Sequence, residues 1–327
     1  MPRHSSAPFP PMPAPDPSAH SAPLRGPLRL LSPAGAVQEP ERLEIAAAHL
    51  RSLGFRVHLG AQALARAQRF AGTDAQRLRA IHAAARSRAD VVMMTRGGYG
   101  LTRLLPSIDY DLLAQAIKER KQMWVGHSDF TALQLALLAK TGAVTFSGPM
   151  ASYDFGEKRP DDITVDSFLD AVDGTLEAVG FACDDAPRGL DVEGVLWGGN
   201  LALVTSLIGT PYLPSAKGVL FLEDVNEHPY RIERMFGQLL LAEVAQRQKA
   251  VLLGQFTGYK LSAHDAGYDL DSAVQWLRAQ LKPHGVPVLS GLPFGHVRTK
   301  LTLPHGVRTR VVRDGQEVFL FFPHAHH

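Results

Sequence analysis

Met123–Trp124–Val125–Gly126–His127–Ser128–Asp129–Phe130–Thr131 is followed by an apolar run through Leu138. Met123 to Val125 has the composition of a buried strand, and Thr131 to Lys140 has helical composition and spacing. Joining them requires a tight corner, and Ser128 sits in it. A serine in such a corner has its hydroxyl pushed clear of the sheet edge, beside the first amides of a helix. That placement suits an acylating nucleophile. A serine that only caps the helix satisfies the same spacing.

Upstream, Leu28 to Ser32 reads as a strand, Glu39 to Ser52 as a helix and Phe55 to His58 as a second strand. Asp74 to Arg88 is another helix, and it leads into the strand Val91 to Thr95. This alternation is the mark of an α/β sheet. Arg96–Gly97–Gly98–Tyr99–Gly100 follows at the carboxyl end of that strand, where open α/β sheets bind ligands. Glycines there allow close backbone approach, although a plain tight turn explains them too. The spacing is not GxGxxG, which excludes a dinucleotide fingerprint. Leu101 to Lys118 is helical in parts and broken at Pro106.

Downstream, Val144 to Phe146 is a short strand, Gly148 to Met150 a turn, and Asp161 to Val179 contains one helix centred on Ser167 to Val172. Phe181 to Arg188 reads as a connector, so a nucleophile unit of 28–180 and a second unit of 181–323 are expected. In the second unit Val192 to Gly198 is a strand, with Asn200 a cap for the helix Leu201 to Ile208. Lys217 to Leu222 is a strongly apolar strand running into Glu223 and Asp224. Helices are expected at Tyr230 to Gln246 and Leu270 to Leu281. Short strands are expected at Val251 to Leu253 and near Val286 to Leu289. After Gly291 to His296 and Leu301 to Leu303, Val307 to Val312 and Val318 to Phe322 form a final pair across an Asp314–Gly315 turn.

The 327 residues carry a formal charge of +2 and no basic tract, which gives no support for a nucleic-acid partner. No stretch has the continuous apolarity of a membrane span. Residues 1–27 are rich in proline, which precludes the helical core of a signal peptide, and are expected to be a disordered tail. The lone Cys183 cannot form an intrachain disulfide, and a reducing cytoplasm is the simplest setting. No HExxH and no other close histidine pair is present outside the C-terminus, so neither a metal nor another cofactor is expected.

A serine hydroxyl needs a base, and the base needs an acid to hold its tautomer. Glu223 and Asp224 follow the most hydrophobic strand, where an unpartnered carboxylate is costly. His296 ends a Pro/Gly loop after a strand and is suited to projecting an imidazole into a cleft. His127 adjoins Ser128, but successive side chains leave a strand end in different directions. His228 is close enough to Glu223 to be a substrate-site candidate. Spacing alone does not choose among Glu223, Asp224 and Glu227.

The chain resembles the LD-carboxypeptidases, the muramoyltetrapeptide carboxypeptidase family of serine peptidases. The resemblance spans about Leu28 to Phe322. It is carried by Arg96 to Gly100, Gly126 to Asp129 with Thr131, Gly198 to Leu201, Leu220 to Asp224, Tyr230 to Arg234 and Gly295–His296. It implies an N-terminal flavodoxin-like parallel-sheet domain and a smaller C-terminal mixed α/β domain. It also implies Ser128 as nucleophile, His296 as general base and Glu223 as the carboxylate that orients it. The amides of Gly98 and Asp129 suit the oxyanion hole. Arg231 and Arg96 are candidates for binding a terminal carboxylate, and Asn200 for contacting substrate.

The implied substrate is the cytoplasmic murein tetrapeptide L-Ala-γ-D-Glu-meso-diaminopimelate-D-Ala, losing its terminal D-alanine during peptidoglycan recycling. Family members often form dimers, which leaves a homodimer open. Two other readings stay open: a related peptidase that cleaves peptidyl- or aminoacyl-nucleotide antibiotics for self-immunity, and a noncatalytic muropeptide-binding protein.

Overall fold

The computed structural model describes residues 23–322. Most of the expected N-terminal tail lies outside these residues. Within them, Arg25 is already anchored: its guanidinium forks onto Asp173 at 2.9 and 2.6 Å and donates to the Leu53 carbonyl at 2.6 Å.

Six strands form the first sheet: β1 (Pro27–Leu31), β2 (Arg56–Leu59), β3 (Val91–Met94), β4 (Met123–Gly126), β5 (Thr145–Ser147) and β11 (Leu303–His305). Their spatial order is β2-β1-β3-β4-β5-β11, with every pair parallel except β5 with β11. The first five strands have the flavodoxin-like 2-1-3-4-5 order, whose switch point lies between β1 and β3. Helices α1 (Pro40–Ser52), α2 (Asp74–Arg86), α3 (Tyr110–Lys118) and α4 (Phe130–Thr141) provide the connections.

β4 and α4 match the sequence reading to within a residue or so, for a simple reason. All of Met123, Trp124 and Val125 are buried, as are the first eight residues of α4. Each large apolar side chain so buried contributes about 1.5–3 kcal/mol. A helix apolar all round has to be internal. It ends at Gly142, whose left-handed φ of 64° closes the last turn.

The second sheet has the order β10-β9-β8-β7-β12-β13-β6. β7 (Asp191–Asn200), β8 (Gly218–Val225), β9 (Ala250–Thr257) and β10 (Val288–Ser290) run parallel, linked by α6 (Leu201–Ser206), α7 (Pro229–Leu241) and α8 (Leu270–Leu281). β12 (Arg308–Asp314), β13 (Glu317–Phe321) and β6 (Ala178–Ala182) add an antiparallel flank. Between the sheets lie a π-helical turn at Ala151–Phe155 and α5 (Asp162–Asp173).

Three local expectations differ from the structure, and that for Leu101 to Lys118 gains detail. Residues 178–182, partly read as connector, form the outer strand β6, alternating buried and exposed against β13. α7 stops at Leu241 rather than Gln246, and a separate 3-10 turn follows at Ala245–Arg247. The Leu101 to Lys118 segment resolves into a 3-10 turn at Leu105–Ser107 and α3, with Pro106 inside the turn. β11 leaves the second half of the chain to pair with β5 of the first sheet.

Two apolar clusters each run through both sheets. One joins α2, α3 and α4 to α6, α7 and α8 through Trp124, Leu133, Trp197 and Phe236. The other joins α1 and α5 to the second sheet through Phe155, Phe168, Phe221 and Phe294. Among the described residues no helix is long and apolar enough to cross a membrane.

Candidate active site

Ser128 lies between β4 and α4 with a φ of 63°. A left-handed β-substituted residue costs about 1–2 kcal/mol, and here it turns the side chain out of the strand direction. The corner is only possible because Gly97 faces it. A Cβ on Gly97 would lie 2.5 Å from Ser128 Oγ and 3.3 Å from the Asp129 nitrogen. The two strand ends, after β3 and after β4, are therefore in contact.

His296 meets Ser128 from the loop between β10 and β11. Its Nε2 is 3.1 Å from Ser128 Oγ, and its Nδ1 is 2.8 Å from Glu223 Oε2. With Nδ1–H donated to the carboxylate, Nε2 is left to accept the serine proton. Gly295 permits the approach: its φ is 129°, and a Cβ there would stand 3.2 Å from Glu223 Oε2.

Glu223 is fully buried near the end of β8, where the register with β9 shifts between Leu222 and Asp224. Asn200, at the end of β7, holds both acids through its side-chain nitrogen, 3.3 Å from Glu223 Oε1 and 2.9 Å from Asp224 Oδ1. Its side-chain oxygen meanwhile accepts the Leu203 N–H and caps α6. Capping and carboxylate holding are thus one residue's work; sequence reading supplied only the first. Asp224 also accepts from the amides of Ala202 and Val225, and does not touch His296. Burial, with the neighbouring Glu223 charge, pushes its carboxyl up to about 6.

The Asp129 carboxylate accepts the Leu101 N–H at 2.9 Å, which pins the glycine loop to the start of α4. Burial raises this acid to about 6 as well. Neither the Asp129 amide nor the Gly98 amide has a hydrogen-bond partner among the described residues.

His127 lies beside the site without joining the relay. It is buried, with Nδ1 2.8 Å from the Gly148 carbonyl and its ring edge-on to His296, centroids 5.1 Å apart. Burial, reinforced by Lys300, holds it well below the ordinary histidine range, so it is neutral. Close by, Lys300 and Asp154 form a buried ion pair, with the Lys300 Nζ 4.9 Å from the Tyr153 ring centre. Nothing in the sequence spacing signalled that pair. His305, within β11, accepts the Gly198 N–H at 3.2 Å, and burial lowers its imidazole to about 4.

The remaining candidates are placed as follows. His228 stands 3.2 Å from Asp265 at the N-terminus of α7. Arg231 is engaged by Tyr230 Oη at 3.1 Å and Glu227 at 3.8 Å. Arg96 is half-buried at the head of the glycine loop. Among the described residues no group of three or more His, Cys, Asp or Glu side chains is arranged to hold a metal ion.

A serine, a histidine and a carboxylate in hydrogen-bond series, set between a flavodoxin-like sheet and a second mixed sheet, define a hydrolase-type site. The LD-carboxypeptidase N-terminal domain matches residues 28–148, and the LD-carboxypeptidase C-terminal domain matches 193–311. The chain belongs to the LD-carboxypeptidase family of peptidases. It is 32% identical over 276 residues to the probable murein peptide carboxypeptidase of Bacillus subtilis, covering 83% of this chain and 84% of that one. It is 30% identical over 259 residues to the microcin C7 self-immunity protein MccF of Escherichia coli, covering 69% and 72%. The crystal structure of muramoyltetrapeptide carboxypeptidase from Oxalobacter formigenes superimposes with a TM-score of 0.81 at 39% identity, covering 90% and 98%.

Proposed function

We propose that the protein is a serine-type LD-carboxypeptidase that removes the terminal D-alanine from the murein tetrapeptide L-Ala-γ-D-Glu-meso-diaminopimelate-D-Ala, acting in the cytoplasm in peptidoglycan recycling. The observation that carries this reading is the Ser128–His296–Glu223 series, at 3.1 and 2.8 Å, in a member of this family.

His296 Nε2 takes the Ser128 proton as the oxygen attacks the scissile carbonyl. Glu223 holds the imidazole in the required tautomer and stabilises the imidazolium that forms. The tetrahedral oxyanion is received by the Asp129 and Gly98 amides, each such donor typically being worth about 2.7–4 kcal/mol in the transition state. His296 then protonates the departing D-alanine amine. Water repeats the attack on the acyl-enzyme and frees the tripeptide and the serine.

The likeness to MccF favours a second reading, hydrolysis of aminoacyl- or peptidyl-nucleotide compounds with the same three residues. Incubation with the tetrapeptide and with an aminoacyl sulfamoyl nucleoside, read by mass spectrometry, separates the two. Release of free D-alanine, abolished in Ser128→Ala, is the expected result. Cleavage of the nucleotide-linked compound alone overturns the cell-wall reading.

A further inference from the structure

Three arginines converge beside the glycine loop that lies against Ser128. Arg96 heads that loop directly after β3, and its Nη1 donates to the Ala36 carbonyl at 2.7 Å. Arg66 donates to the next carbonyl, Val37, at 3.1 Å. The Arg69 carbonyl accepts the Ala36 N–H at 2.9 Å, and its guanidinium lies 6.0 Å from the centre of the Tyr99 ring in the same loop. The segment that follows β1 is thus held by all three, and the Gly35 N–H joins it to the Gly97 carbonyl at 3.0 Å.

None of the three makes an ion pair among the described residues, whereas the neighbouring Arg77 and Arg103 both bind Asp74. Arg69 and Arg66 add to burial in lowering the proton affinity of Arg96, so both repel it. Repulsion within the cluster, offset on the Arg69 side by the Asp129 carboxylate, is a poor way to stabilise a fold, but a guanidinium cluster is well suited to carboxylates, which it meets with paired N–H donors. The position adds weight. The cluster stands at the carboxyl ends of β1 and β3, the switch point of the first sheet, where open α/β sheets take their ligands. Arg231, by contrast, is already occupied by Glu227 and Tyr230.

We propose that Arg66, Arg69 and Arg96 form a carboxylate-binding subsite that anchors an anionic peptide substrate beside Ser128. This rests on the peptidase reading above. The tetrapeptide offers carboxylates at its D-alanine terminus, on the γ-linked D-glutamate and on the diaminopimelate side chain, and the test distinguishes them.

Arg66→Gln/Arg69→Gln removes two exposed charges that take no part in the proton relay. Its steady-state kinetics are measured on the tetrapeptide and on three analogues: one ending in D-alaninamide, one with D-isoglutamine second and one with lysine third. The double variant is expected to raise KM for the tetrapeptide about tenfold or more, the loss of a charge-assisted contact, with kcat within twofold of wild type. The analogue that lacks the anchored carboxylate shows a raised KM with wild type and no further rise with the variant. Calorimetric titration with tricarballylate, expected to bind wild type and not the variant, reports on the arginines even in a protein that cleaves no murein peptide. Unchanged KM for all four peptides together with equal tricarballylate titrations overturns the proposal.

Discussion

The Asn200 backbone N–H donates to the Thr131 hydroxyl at 3.1 Å, a bond between the strand end that holds Glu223 and the helix that begins beside Ser128. Both groups are buried, and Gly199 leaves room for the contact, since a Cβ there would come within 2.5 Å of Thr131 Oγ1. Thr131→Val leaves the Asn200 amide without a partner. The expected cost is about 1–3 kcal/mol of stability, and each kcal/mol lowers the melting midpoint of a domain of this kind by about 2–4 °C. Turnover should fall with it, because the bond ties the helix that begins beside Ser128 to the strand end whose Asn200 side chain holds Glu223. A thermal melt and a kcat measurement on the same preparation check both.

Glu223 and Asp224 should separate cleanly under mutation. Glu223→Gln removes the charge that holds His296 and is expected to lower kcat on the order of 10³–10⁴-fold. Asp224 touches Asn200 and two amides but not the imidazole. Asp224→Asn should therefore keep most of the activity. A large loss in D224N with E223Q near wild type would reverse the assignment.

Lys300 and Asp154 are both buried, and the carboxylate also accepts the Met150 N–H at 2.7 Å. Lys300→Met leaves an unpaired buried acid, for which about 3–5 kcal/mol of lost stability is expected. Lys300→Met/Asp154→Asn removes both charges and should recover much of it. Urea denaturation of the two variants reads the difference.

Asp129 titrates near 6 in the fold, against 3.8 for the ordinary carboxylate. Its folded value is raised, so its contribution to stability is fully present below about 4 and is lost as the pH climbs through about 6. Two units correspond to about 2–3 kcal/mol. The gap in unfolding free energy between wild type and Asp129→Asn should therefore shift in the variant's favour from pH 4 to pH 8. Chemical denaturation at the two pH values tests the sign, and a pH-independent gap would contradict it.

Much of the first sheet was legible because its strands are short apolar runs punctuated by glycine, and because α4 is too apolar to be anywhere but inside. The Ser128 corner followed from those two elements. Other features carry no local signal. β6 reads Ala178–Val179–Gly180–Phe181–Ala182, with too little side chain to advertise a strand, and it exists because β13 lies beside it. β11 is three residues long with Pro304 at its centre, a composition that argues against a strand until an edge is available. The choice of Glu223 over Asp224 depends on a register shift in the β8–β9 pairing, which no spacing rule contains. Arg96 was named from the sequence, but its companions Arg66 and Arg69 escaped notice because they fall in an aperiodic run whose neighbours are set only by the return of the chain past Gly35.

The excursion of β11 has a temporal meaning. During synthesis the sheet that carries Ser128 has an open flank at β5 until Leu303–His305 has emerged, and by then His296 has emerged too. The edge of the sheet that carries Ser128 is sealed by residues made about seven positions after His296. A ribosome that stalls before His296 releases a chain lacking both the closing strand and that histidine, so such an incomplete product carries no complete Ser128–His296–Glu223 series.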